Sequence, residues 1–328
     1  MFGNPTQREP QRVEFLLLPN FSMMAFTSSV EPLRAANRMS GKALYEWRTV
    51  SANGEAVTAS NGVKTTPDGS IQDPINADVL FVCAGLQAQD FNDRKTISRL
   101  RDYARARAAL GSVCTGSIAL AKAGLLDGYR CTIHWENVEG FVEAFPDLDV
   151  TATLFEIDRD RFTCSGGTAP LDMMIYSISE DYGRTLAINV AEQMLHNFVR
   201  QPHDHQRMSI QHRTGITHPK LLAAIAYMEA YIETPVPVGD IARSVNVSPR
   251  QLERLFRNAL NKTPTRYYLE LRLQKAKLLL AQTTMPVLQI AVATGFTSAA
   301  HFASAFRNYF GHPPSAERNF SGGQAATA

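Results

Sequence analysis

Cysteine is scarce in this chain, four residues in 328, and the four stand apart. Cys83, Cys114, Cys131 and Cys164 show neither the paired spacing of a zinc site nor the density of a small disulfide scaffold. Long apolar runs are missing as well. The amino-terminal run Val13 to Leu18 is far too short for a signal core or a bilayer span, which needs about 20 residues. His203 and His205 lie in a polar stretch without cysteine company, so a solvated connector is expected there rather than a metal site. Net charge is also small, +2. These absences argue against a disulfide-stapled, metal-built or membrane protein. They lead us to expect reduced thiols, a cytoplasmic location, no metal and no cofactor.

The near-neutral total conceals a division. From Pro219 onward there are twelve Lys and Arg against six Asp and Glu, so the carboxyl-terminal third is basic and the remainder acidic. A basic third fits a polyanionic partner. The length suits two domains, each able to bury its own core.

Within the basic third one pattern occurs twice. Ile241-Ala242 is matched by Ile290-Ala291, and Leu252, Phe256-Arg257-Asn258 and Pro264 are matched by Phe302, Phe306-Arg307-Asn308 and Pro314. In each copy a short apolar-faced helix stops at a residue suited to left-handed backbone, Asn246 or Gly295, and a second helix starts at a capping Ser or Thr. Ser248, Pro249 and Gln251 form a capping-box signature. The helix that follows turns Leu252, Leu255 and Phe256 inward and leaves Arg250, Gln251, Arg254 and Arg257 outward. That layout suits a recognition helix in the DNA major groove. Ser298, His301 and Arg307 take the equivalent face of the second copy, a poorer set for reading bases. On the long helix between the copies, Arg272, Lys275 and Lys277 are expected to be mostly solvated, and Lys262 and Arg266 to reach phosphates.

Together with Gly295-Phe296-Thr297-Ser298 and Gly311-His312-Pro313-Pro314, the doubled pattern resembles the AraC/XylS family of bacterial transcription regulators. The resemblance implies two helix-turn-helix units on a connecting helix and double-stranded promoter DNA as partner. Ala300 and His301 depart from the family, which commonly carries Tyr or a polar residue there.

The first two thirds alternate strands with helices. Strands are expected at Val13–Leu18, near Trp47–Ser51, at Ala77–Cys83, Val150–Phe155 and Arg161–Cys164. Helices are expected after Met24, at Ile97–Ala109, Ile118–Ala123, Leu171–Ser179 and Leu186–Phe198. This is an α/β domain with a mostly parallel sheet. Its informative segment is Leu110-Gly111-Ser112-Val113-Cys114-Thr115-Gly116-Ser117, a side chain held among small residues between strand and helix. Such an elbow can aim helix amides at a thiolate. His134 lies twenty residues on, and Glu31 sits on the first helix.

Cys114, His134 and Glu31 look like the positions of the class I glutamine amidotransferase-like superfamily, PfpI branch. With the tandem motif, the whole chain resembles the GlxA group. That resemblance implies flavodoxin-like layering and a domain that senses a metabolite. Phe21 to Phe26 and Glu31 to Arg38 look like regulators responding to arginine, glycine betaine or carnitine. The peptidase relatives carry histidine directly after the cysteine, where this chain has Thr115, so the adjacent base is missing.

We therefore expect a ligand-sensing domain over residues 11–199, a linker over 200–219, an all-α tandem helix-turn-helix domain over 220–320 and a disordered tail over 321–328. No catalysis is expected, and a Cys114-dependent hydrolase or amidase is the competing reading. The expected ligand lining is Phe21, Phe26, Glu31, Cys114, Thr115, His134 and Trp135, since aromatic faces with a carboxylate suit a small cation. A homodimer is the expected assembly.

Overall fold

The computed structural model describes residues 10–283 and 285–317. The stretch 321–328 and the last positions before it lie outside them. The chain divides between Gln206 and Arg207 into two compact units, within the stretch 200–219 expected as linker.

In the first unit the elements run β1 (Gln11–Leu17), α1 (Met23–Ser40), β2 (Tyr45–Ser51), β3 (Val57–Thr58), β4 (Lys64–Thr65), β5 (Gly69–Ser70) and β6 (Val79–Cys83). They continue with α2 (Arg94–Arg105), β7 (Ala109–Val113), α3 (Ser117–Lys122), β8 (Arg130–Thr132), α4 (Val138–Ala144), β9 (Asp149–Thr151), β10 (Phe155–Asp158), β11 (Arg161–Cys164), α5 (Ala169–Tyr182) and α6 (Arg184–Gln193). The main sheet has the order β10-β11-β7-β6-β1-β2-β5. Its pairings are parallel except for β10 against β11. Among the long parallel strands the order is second, first, third, fourth, fifth, the flavodoxin-like winding.

Burial on both faces explains the continuous apolar strands. Val13, Phe15 and Leu17 of β1 join the core that includes residues of α1, α5 and α6, while Leu16 and Leu18 join the core beneath α2, α3 and α4. Glu14 breaks the run; buried, it is matched by the Arg48 guanidinium at 3.1 Å and the Tyr103 hydroxyl.

Two expected elements are corrected. Ala109, read as the end of a helix, begins β7, because α2 stops at Arg105 and the chain turns through Arg107 at φ 62°. The run Val150–Phe155 is no single strand: β9 pairs with β8 in a separate two-stranded sheet, and β10 joins the main one. Thr151 and Thr153 break the run between them, both turning their hydroxyls to Glu156 at 2.9 and 2.7 Å.

The second unit is helical, with α7 (Ile210–Thr214), α8 (Pro219–Ala230), α9 (Val238–Ser244), α10 (Pro249–Leu260), α11 (Pro264–Gln282), α12 (Val287–Ala293) and α13 (Ala299–Phe310). Phe256, buried beside Leu252 and Ile241, and Phe306, buried beside Phe302 and Ile290, centre two separate cores. The helix α11 supplies Tyr268 to the first and Leu273, Ala276 and Leu280 to the second.

Candidate functional site: cysteine elbow and tandem helix-turn-helix

The elbow follows β7. Cys114 is held at φ 60°, a left-handed conformation that costs a residue with a Cβ about 1 kcal/mol or more. Its neighbours are small because other chain comes close. A Cβ on Gly111 would lie 2.1 Å from the Phe81 ring, and one on Gly116 would lie 2.1 Å from the Val82 carbonyl. The turn is pinned on every side. Cys114 N–H donates to the Ser165 carbonyl at 3.4 Å, His134 N–H donates to the Cys114 carbonyl at 3.2 Å, and the Thr115 hydroxyl donates to the Gly85 carbonyl at 2.7 Å.

The structure brings Cys114 and His134 together around Gly166, where a Cβ would stand 3.1 Å from Cys114 Sγ and 2.7 Å from the His134 ring. Trp135 flanks the imidazole with ring centroids 5.7 Å apart. The Glu31 carboxylate pairs with Arg34 at 2.6 Å on α1. The negative field felt by Cys114 comes from Glu136, whose carboxylate is 3.7 Å from His134 Nδ1. Glu136 was missed in the sequence, although its position two residues after His134 was the available signal. Phe21 is fully buried, bridged to Gly85, and its ring meets Phe26 edge-on at 5.8 Å. It backs the elbow from within the core.

Burial pushes the Cys114 thiol up to about 11, against the smaller opposing effect of the Thr115 amide and with reinforcement from Glu136. Burial thus opposes the thiolate that helix amides at such an elbow would favour. Burial also lowers the His134 imidazole below its ordinary value, with Glu136 opposing. Cavities open elsewhere in this unit: about 570 Å³ between α5 and α6, lined by Tyr176, Glu180 and Glu192 among others, and about 840 Å³ at the carboxyl ends of β1 and β2.

In the second unit the paired motifs have the local chemistry that their sequence demands. Asn246 turns at φ 54° and Gly295 at φ 75°. Gly295 is also sterically required, since a Cβ would lie 2.3 Å from Pro235 and 2.6 Å from the Ile232 carbonyl. The Ser248 capping box closes, with its hydroxyl accepting from Gln251 N–H at 3.2 Å and Gln251 Oε1 accepting from Ser248 N–H at 2.9 Å. Gln251 keeps its amide N–H groups for outward contact. Arg250 and Arg254 have no ion-pair partner among the described residues, whereas Arg257 is drawn to Glu253 at 3.3 Å. These residues line an open groove of about 760 Å³ along α10.

On α13 the Ser298 hydroxyl is occupied as N-cap, accepting from His301 N–H at 3.4 Å, and the His301 ring sits 5.5 Å from Phe296. Arg307 falls in the last turn and pairs with no acid among the described residues. Two expectations for the cations of this region are corrected. Arg272 is not solvated: it donates to the Thr294 and Gly295 carbonyls at 2.8 and 2.7 Å and lies over the Phe296 ring at 4.2 Å. Lys275 is largely covered. Lys262 and Arg266, expected at phosphates, both engage Glu270 in the free chain, at 2.5 and 2.9 Å.

A parallel α/β unit with a cysteine elbow, joined in one chain to a doubled helix-turn-helix, defines a two-domain transcription regulator. Comparison with known proteins agrees. Residues 11–176 match the DJ-1/PfpI family and residues 241–319 match a helix-turn-helix domain. The chain is 46% identical to the HTH-type transcriptional regulator GbdR of Pseudomonas aeruginosa, over 96% of this chain and 86% of that one. It is 39% identical to the HTH-type transcriptional regulator GlxA of Rhizobium meliloti, over 98% and 100%. The crystal structure of an AraC family transcriptional regulator from Pseudomonas putida superposes at TM-score 0.52 with 30% identity, covering 56% of this chain and all of that one. The chain belongs to the GlxA-like AraC-type transcription regulators, and double-stranded DNA is its partner. Among the described residues no helix is long and apolar enough to cross a membrane.

Proposed function

We propose that this regulator is controlled by a small cationic or zwitterionic metabolite seated at the elbow of a non-catalytic α/β domain, and that it acts as a cytoplasmic homodimer. Recognition of DNA rests on the capped α10, whose Arg250 and Arg254 project free of acidic partners among the described residues. Arg257 and the amide of Gln251 extend that face, while Ser298, His301 and Arg307 add contacts weighted to the backbone. At the elbow, Trp135 and the Glu136 carboxylate beside His134 offer an aromatic face and a negative charge to a cation. Phe21 and Phe26 support that wall, with Cys114 and Thr115 as its floor. Glu31, paired with Arg34 on α1, is the further carboxylate of the proposed lining.

The neutral thiol and Thr115 in the position next to it speak against a Cys114 hydrolase. Thermal-shift and calorimetric titration with glycine betaine, carnitine and arginine should show saturable stabilisation by at least one, and none would exclude this effector class. Cys114→Ser should leave sequence-specific DNA binding intact; an amidase or hydratase turnover lost in the same variant would instead establish the enzyme reading.

A further inference from the structure

The α/β unit ends on a clasp. Gln206 Nε2 approaches the Thr132 hydroxyl at 3.0 Å, the Ile133 carbonyl at 2.9 Å and the Thr153 carbonyl at 2.7 Å. Its Oε1 is buried without a donor among the described residues. A buried amide oxygen left unpaired is costly, so what this side chain contributes comes from its donors. The residues before it are stitched down too. The Pro202 carbonyl accepts from Leu154 N–H at 3.1 Å, and His205 forms a bridge with Thr153. Arg200 grips the fully buried Asp172 with Nε at 3.0 Å and Nη2 at 2.6 Å, and reaches the Thr168 hydroxyl at 2.7 Å.

The anchors connect to the elbow through short chains of bonds and neighbours. Ile133 precedes His134, whose N–H is bonded to the Cys114 carbonyl. The Leu154 carbonyl accepts from Ser165 N–H, and the Ser165 carbonyl accepts from Cys114 N–H. Thr168 and Asp172 follow Gly166, which packs against Cys114 and His134. Arg207, the next residue after the clasp, opens the second unit.

We infer that residues 200–206 are a strap that carries the state of the elbow into the DNA-binding unit. A ligand pressed against Cys114 and His134 displaces the Thr132–His134 segment, withdraws acceptors from Gln206 and frees the connector. The strap is then the element with two arrangements, docked and released, that linkage between two sites requires. This mechanism rests on the elbow being the effector site, so its test perturbs the elbow without a ligand.

Hydrogen exchange on the full-length protein reads the strap through the Leu154 amide, which only a docked Pro202 protects in this way. Gly166→Ala, whose Cβ must push His134 or Cys114 aside, should speed exchange at Leu154 by about tenfold. His134→Ala serves as a second elbow variant should Gly166→Ala not fold. Coupling is reciprocal, so Gln206→Glu, which sets a carboxylate against three acceptors, should speed exchange of the His134 amide by a similar factor. Wild-type rates at Leu154 in folded elbow variants, or at His134 in Gln206→Glu, would overturn the coupling.

Gln206→Glu should also change the apparent Kd for a DNA fragment selected by the wild type from a random pool, by threefold or more. An unchanged Kd would overturn transmission to DNA. If glycine betaine, carnitine and arginine all fail to stabilise the chain while the exchange coupling holds, the effector class falls and the strap stands.

Discussion

Cys114 joins two facts that pull against each other: a left-handed backbone of the kind that presents a nucleophile, and a thiol that burial keeps protonated. The consequence is measurable in alkali. Cys114 and Cys131 are raised from an ordinary value of 9.0 to about 11 and about 12. Between those limits the folded state holds protons that the unfolded chain releases, so stability is fully present below pH 9 and falls as pH rises through 11. Melting temperature measured from pH 7 to 11 should be flat and then decline, and Cys114→Ser should soften the decline; a melting curve indifferent to alkali would contradict the buried thiols. Arg254, by contrast, is free and exposed on α10. Arg254→Ala should weaken specific binding about tenfold or more at fixed salt, if it makes a bidentate base contact worth about 1–3 kcal/mol. A gel-shift titration with unchanged affinity would remove it from the reading face.

At the scale of elements, the two turns of the tandem motif differ in how much they bear. Ser248→Ala removes a capping box and should cost about 1 kcal/mol, whereas Gly295→Ala adds backbone strain to a clash with Pro235 and Ile232 and should cost clearly more. Chemical denaturation of the two variants checks that order, and equal losses would mean that the second turn relaxes. These helices were legible in the sequence because caps, left-handed turn residues and apolar spacing all agree locally. Strands β1 and β6 of the main sheet were legible for a related reason: burial on both faces leaves an apolar run. What stayed hidden depended on which side chain meets which, a matter that spacing alone does not settle. The break between β9 and β10 is made by Glu156, a few residues on, and the burial of Arg272 by the Thr294 and Gly295 carbonyls, more than twenty residues away. At the elbow the cysteine and histidine could be found by motif, but Glu136 becomes significant only once the turn brings it beside the imidazole.

At the scale of the whole molecule, two readers in one unit should protect two successive major grooves, about one helical turn apart. The copies are unequal, since α10 keeps free Arg250 and Arg254 while Ser298 is spent on capping. A footprint should therefore tolerate substitution in one half-site more than in the other, and equal stringency would contradict that asymmetry. Charge is also husbanded inside the fold. Lys262 and Arg266 are occupied by Glu270, Arg257 by Glu253 and Lys277 by Glu317. Glu270→Gln should release two cations, steepening the dependence of log affinity on log salt by up to about 0.9 for each one that reaches a phosphate; an unchanged slope would show that neither does. With a steeper slope in Glu270→Gln, Glu270 would be a counter-ion that the protein carries with it: random DNA would gain less from holding the regulator, each unproductive stop would be shorter, and the search of the chromosome for its operator quicker.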